Sequence, residues 1–295
     1  MEKLRLEPTA ALVMKWASKL YTEGPAHRYM NHLDLSSGED LLDQCNSVCN
    51  WYGEVILNRK SFIKHLIEQE LRNTDGKYQL IFLAAGKSPL PLEITFDNSA
   101  RIHRVFEVDT SGMEDKRRLY LKLFPDITDK LQCLTADITS PAIIELLESG
   151  EYGYCRDIRS IVILEGISYY LKKRDLEDII ARFRSGKENI FIIEYLIPGK
   201  YIDRRRKSIP EEVFNIIQGY CRLKAVKTYT AEELRRVFLR NDGELTEYYS
   251  MAEMELNRTG SNDYFRKPSD GWIECALGRT DALQKVRGTS LPGQS

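Results

Sequence analysis

The 295-residue chain has no apolar run long enough to span a bilayer, which takes about 20 residues. Its first residues, Met1-Glu-Lys-Leu-Arg-Leu-Glu-Pro8, lack the apolar core of a signal peptide. Neither sign of charge predominates: 43 Lys and Arg stand against 44 Asp and Glu. A large basic field of the kind that recruits nucleic acid is therefore missing. The six cysteines (Cys45, Cys49, Cys133, Cys155, Cys221, Cys275) form no C-x-x-C pair. With the four histidines (His27, His32, His65, His103) they offer no zinc spacing, and a disulfide framework does not suit a chain of this size. The expectation is a reduced, cytosolic protein with neither a membrane nor a nucleic-acid partner. The basic run Arg204-Arg205-Arg206-Lys207 reads as a solvated segment, with an anion-binding patch as the alternative.

What is present is an apolar fraction of 42%, enough for a core. Residues 1–76 show helical spacing, as in Leu12, Trp16 and Leu20, and read as a helical cap. Short apolar runs then alternate with helical segments over residues 77–199. Strands are expected at Tyr78–Leu83, Ile102–Val108, Leu131–Ala136, Ile161–Leu164 and Asn189–Leu196. That alternation predicts an α/β, doubly wound, mostly parallel sheet. Residues 200–243 read as helical, with Thr230 and Glu233 forming a capping box. Leu245–Leu256 and Gly271–Leu277, within 244–279, are expected as an antiparallel closing pair, and 280–295 as a loose tail.

Ile161-Val-Ile-Leu-Glu165-Gly166 is the most informative stretch, because an apolar run stops there on a carboxylate and a glycine. Open α/β sheets bind ligands at the carboxyl ends of their strands. Asp109 and Asp137 end the second and third strands, and the three acids recur about every 28 residues, close to the length of a βα unit. Ala84-Ala85-Gly86 is a small-residue turn that lets backbone N–H groups approach a ligand, or an ordinary strand-to-helix turn. The dinucleotide pattern Gly-x-Gly-x-x-Gly is absent, so a nucleotide-like cofactor without phosphate, such as S-adenosylmethionine, fits better. Asp109 suits a ribose-binding acid, and Asp109-Thr110-Ser111 reads equally as a helix N-cap. Asp137, with the Ile138 backbone beside it, suits an adenine amino group or a cap ahead of Thr139-Ser140-Pro141. Glu165 is a poorer cap and is rarely buried unpaired, so a ligand ammonium suits it. Glu194 either lines the substrate side or pairs with an arginine.

Phe106-Glu-Val-Asp109 with Lys116-Arg117 resembles the Glu-Val-Asp…Lys-Arg signature of the leucine carboxyl methyltransferase family. Leu164-Glu165-Gly166-Ile-Ser-Tyr-Tyr170-Leu171 is similar to its Glu-Gly-Leu-Leu-Met-Tyr-Leu motif, and Asp137-Ile138 fits its third acidic position. Asn58-Arg59-Lys60-Ser61 is similar to its Arg-Thr segment. The resemblance covers roughly residues 45–200. That family includes the enzyme acting on protein phosphatase catalytic subunits and bacterial O-methyltransferases of polyketide pathways. The resemblance implies a Rossmann-like class I methyltransferase sheet and S-adenosylmethionine as cofactor. It gives Arg59 the cofactor's carboxylate, places Ala85, Gly86, Asp109, Thr110, Asp137, Ile138 and Glu165 around the rest, and makes 200–243 a lid. The family's Gly-x-Gly and Asp-Thr-Arg stand here as Ala84-Ala85-Gly86-Lys87-Ser88-Pro89, which marks a diverged branch.

Transfer to oxygen is largely a matter of alignment. A carboxylate acceptor is ionised at neutral pH and needs no base, whereas a hydroxyl would gain from one. No histidine stands out for that role, which favours carboxylate methylation of a small molecule or peptide over hydroxyl methylation in natural-product synthesis. Tyr169, Tyr170, Tyr195 and Tyr201 either shape the acceptor pocket or merely pack. Two rival classes are an NAD enzyme, disfavoured by the missing glycines, and a non-catalytic protein keeping the fold, which the altered turn motivates.

Overall fold

The computed structural model describes residues 3–221 and 226–281. β1 (Leu4–Arg5) pairs in parallel with β2 (Leu33–Asp34), a contact that no sequence pattern announced. Around this pair lie α1 (Pro8–Ala17), α2 (Gly24–Met30), α3 (Glu39–Val48) and α4 (Gly53–Arg72). Prolines near the starts of α1 and α2 are pre-set for a first helical turn. In α4, Val55, Ile63, Leu66, Ile67 and Leu71 are all buried, so the helix is anchored along most of its length.

The alternating core follows: β3 (Tyr78–Leu83), α5 (Leu90–Asp97), β4 (Ile102–Asp109), α6 (Met113–Leu123), β5 (Leu131–Thr135), α7 (Ala142–Glu148), β6 (Ser160–Leu164), α8 (Lys173–Arg182) and β7 (Asn189–Leu196). Then come α9 (Ser208–Cys221), α10 (Ala231–Leu239), β8 (Gly243–Ser250), α11 (Met251–Thr259) and β9 (Ile273–Thr280). The large sheet runs β5-β4-β3-β6-β7-β9-β8. Its pairs are parallel except those of β9, which runs antiparallel to both β7 and β8. Strand order therefore reverses between β3 and β6, and an open sheet presents its ligand crevice at such a switch.

One expected strand is corrected. Leu245–Leu256 is not continuous: β8 stops at Ser250, and Met251–Thr259 is helical. The cause is a capping box, in which the Ser250 hydroxyl accepts from Glu253 N while Glu253 Oε2 accepts from Ser250 N at 2.7 Å. Gly260, at φ 76°, ends the helix in the left-handed conformation. Thr230 and Glu233 form the box expected of them. Of the tail expected at 280–295, residues 282–295 lie outside the described residues.

Gly278 sits in β9 beneath the ring of Phe238 from α10, so a methyl group at this position would overlap the ring. Gly278→Ala is expected to cost about 1–3 kcal/mol through overpacking. Urea unfolding checks this: the midpoint should fall with the slope unchanged.

Candidate active site

At the switch point, across the carboxyl ends of β3, β4 and β6, lies a cavity of about 500 Å³. Part of its lining is polar, with Lys87, Ser88, Asp109, Thr110 and Ser111 beside the Ala84-Ala85-Gly86 turn. Arg59, Lys60 and Glu165 bring charge to it. The rest is largely apolar, with Leu12, Val13 and Trp16 of α1, Ile56 of α4 and Phe214 of α9.

The turn after β3 is held in an unusual shape. Ala84 has φ 59° and Gly86 φ 52°. For alanine the left-handed region costs about 1–2 kcal/mol, so the surroundings must enforce it. Above the turn, Asp109 Oδ2 accepts from Gly86 N at 2.8 Å, and Oδ1 accepts from Thr110 N at 2.7 Å. Below it, Lys116 Nζ donates to Gly86 O at 3.1 Å and Ser88 O at 2.9 Å, and is ion-paired with Glu107. Both charged side chains of that pair are fully buried. Burial pushes the Glu107 carboxyl above its ordinary range, against the pull of the Lys116 ammonium. The spacing Glu107…Lys116 was visible as a signature; its role under the turn was not.

A second buried network joins α4 to β6 and β7. Arg59 NH1 donates to Glu194 Oε1 at 2.9 Å, and Arg59 NH2 lies 3.6 Å from Glu165. Lys60 Nζ lies 2.7 Å from Glu165 Oε1. Glu194 Oε2 also accepts from Gly166 N at 2.6 Å, which fixes the turn after β6. Burial raises the pKa of Glu165, but the Lys60 ammonium and then the Arg59 guanidinium outweigh it and hold the group below its usual value. Glu194 is instead raised, since burial exceeds the help from Arg59. Arg59 Nε is buried with no hydrogen-bond partner among the described residues. Glu194 thus pairs with an arginine, one of its two readings. Lys60 was not singled out from the sequence, yet it is the ammonium nearest Glu165.

The structure brings Arg59, Ala85, Gly86, Asp109, Thr110, Glu165, Tyr169 and Tyr170 to one cavity. Four expected site residues do not line it. Asp137 is exposed and accepts from Thr139 N at 2.8 Å and Thr139 Oγ1 at 2.7 Å, a local turn rather than the helix cap that was its alternative reading, since α7 begins only at Ala142. Ile138 is buried, and its carbonyl faces Arg182. Tyr195 points into the packing of the sheet, where its hydroxyl donates to Glu274. Tyr201 is 51% exposed with Lys200 over its ring. Within the basic run, Arg205 pairs with Asp203, and Arg206 lies over the Trp51 ring and donates to Asp270 O. Those two residues serve local structure.

Lys116→Met strands the Glu107 carboxylate without its counter-charge. A loss of about 3–5 kcal/mol is expected, and adding Glu107→Leu should recover much of it. A double-mutant cycle of urea unfolding free energies measures the coupling.

A family model for leucine carboxyl methyltransferase matches residues 15–184. No curated protein sequence matches significantly. Among solved structures, a provisionally assigned methyltransferase from Thermobifida fusca YX superposes with TM-score 0.64 at 16% identity, covering 94% of this chain and 96% of its own. A DUF574 family protein from Streptomyces avermitilis MA-4680 gives 0.59 at 11% identity, covering 93% and 98%. Geranyl diphosphate methyltransferase, solved with GPP and sinefungin, gives 0.50 at 13% identity, covering 92% and 99%. At these identities the structural likenesses establish the fold, a Rossmann-like class I methyltransferase sheet. The family match takes in more than half of the sequence, from the end of α1 through α8 and so across β3, β4 and β6, and on that ground the chain belongs to the leucine carboxyl methyltransferase family of S-adenosylmethionine-dependent enzymes.

Proposed function

We propose that the protein methylates an oxygen of its acceptor, a carboxylate by preference, on a small molecule or peptide with an apolar body. The observation that carries this reading is the cavity itself. Its lining combines a polar set that includes Asp109 with an apolar set from α1, α4 and α9, and none of the four histidines lines it. A hydroxyl acceptor calls for a base. Tyr52 and Tyr169, the buried tyrosines among its lining, both have their pKa raised above the ordinary value by burial, so they stay protonated. A carboxylate arrives already ionised.

The residues present fit the cofactor. Bound S-adenosylmethionine would supply an electrophilic methyl on a sulfonium. Asp109, whose oxygens retain acceptor capacity beyond Gly86 N and Thr110, would take the ribose hydroxyls. The turn Ala84-Ala85-Gly86 would let backbone approach the ligand closely. Arg59, with Nε unpartnered, suits the amino-acid carboxylate. Glu165, shared with Lys60, suits the ammonium. The adenine pocket assigned to Asp137 and Ile138 has less support, since neither reaches the cavity. Tyr169 and Tyr170 form the acceptor wall, with ring centroids 4.8 Å apart. α9 closes over it through Phe214 and Ile217, in keeping with a lid role for 200–243. Sinefungin in the geranyl diphosphate methyltransferase structure supports an adenosyl ligand on this fold.

Calorimetric titration with S-adenosylmethionine and S-adenosylhomocysteine is the test. Saturable micromolar binding is expected. Asp109→Ala should lose about 1.5–3 kcal/mol for each charge-assisted bond removed, and Glu165→Ala should weaken binding similarly. Unaltered binding in both folded variants would overturn the assignment.

A further inference from the structure

A second cavity of about 380 Å³ is left unused by the roles assigned above. Its floor is apolar and buried, formed by Leu196 at the end of β7 and Ile197 after it, with Ile202, Pro210 and Phe214. Its rim carries Lys207 and Glu211, charges of both signs, and the exposed Asn215. Phe214 lines both cavities. It is 6% exposed, and its ring packs edge-on against Tyr169 with centroids 5.4 Å apart. Because β7 follows β6 in the sheet, the second cavity continues the same carboxyl edge on the side away from Asp109. The backbone beyond α9 crosses here, with Lys227 N donating to Tyr169 O at 2.6 Å and Tyr229 N to Leu196 O at 2.8 Å.

Two ligands must share this edge. A pocket for one drug-sized molecule occupies about 300–1,000 Å³, and the first cavity, at about 500 Å³, lies in the lower half of that range. A cofactor held against the polar lining, as proposed above, would take up much of that volume and leave limited room for a long acceptor. We infer that the second cavity receives the distal, apolar part of the methyl acceptor, and that Phe214 is the partition that decides how long an acceptor fits. This rests on the carboxylate-methylation reading and narrows its substrate class to carboxylic acids whose apolar chain outgrows the first cavity. The buried floor rewards apolar contact, and a rim of both signs gives no preference for a charged tail.

The test uses the full chain saturated with S-adenosylhomocysteine and titrated calorimetrically with straight-chain monocarboxylic acids of six to sixteen carbons. Each methylene buried is worth about fourfold in affinity. For the parent protein, affinity is expected to climb by about that factor per carbon and then level off once both cavities are full. Asn215→Trp fills the second cavity from an exposed rim position, where the fold is not at stake. It should bring the plateau to shorter chains with S-adenosylhomocysteine affinity unchanged. Phe214→Ala should move the plateau to longer chains. An identical chain-length profile in the parent and Asn215→Trp overturns the proposal, as does failure of the loaded parent to bind any acid of the series. Failure to bind S-adenosylhomocysteine at the loading step is a separate result, which sinks the methyl-transfer reading itself.

Discussion

The active edge depends on one ammonium group buried beneath a turn. Lys116 carries three N–H donors, and the structure supplies three acceptors for them: Glu107 and the carbonyls of Gly86 and Ser88. Lys116 is fully buried, away from bulk solvent. A buried charge tolerates no missing partner, so the carbonyls must stay where they are, and the turn keeps its shape even with Ala84 in a conformation better suited to glycine. This explains how a chain without the Gly-x-Gly pattern still holds a tight turn at the cavity. The strain is local, and a charge pair on the next strand and helix offsets it.

The same economy of charge governs the middle of the cavity. Arg59 and Lys60 on α4 meet Glu165 and Glu194 on β6 and β7, two cations against two anions. The cluster has no formal net charge, and the amino-acid end of the cofactor proposed for it is itself zwitterionic. Such a ligand can exchange partners with the cluster without leaving an excess of either sign in a low-dielectric wall. The α4 segment thus ties the helical cap to the sheet at the place where the chemistry is proposed to occur.

Most of the core was legible because each strand is a short apolar run bounded by turn residues, and its burial on both faces erases alternation. Asp109 and Glu165 stood out for a related reason, a carboxylate closing an apolar run, and both line the cavity. Asp137 shows where the argument weakens, since a strand-end acid followed by Thr139 finds local N–H partners as readily as a distant ligand. Tyr195 and Tyr201 looked like pocket residues from proximity in sequence alone, and one turned into the sheet while the other stayed in solvent. The helix α11 was missed although Ser250 and Glu253 announced it, because apolar residues on either side suggested one long strand. What no pattern carried was pairing at a distance: Arg59 with Glu194, Lys60 with Glu165, or Phe214 standing between two cavities.

The place of β9 bears on how the molecule is made. β3 to β7 can assemble from consecutive, parallel units as the chain is synthesised. β8 cannot join them, because its one neighbour in the sheet among the described residues is β9, which comes later and must slide between β7 and β8. Until it does, the edge of β7, Asn189-Ile-Phe-Ile-Ile-Glu-Tyr-Leu196, buried at every position in the finished fold, stays open. A long apolar strand edge is a template for another chain. The interval between the emergence of β7 and that of β9 is therefore when nascent copies are most prone to pair with one another, and chaperone protection matters most then.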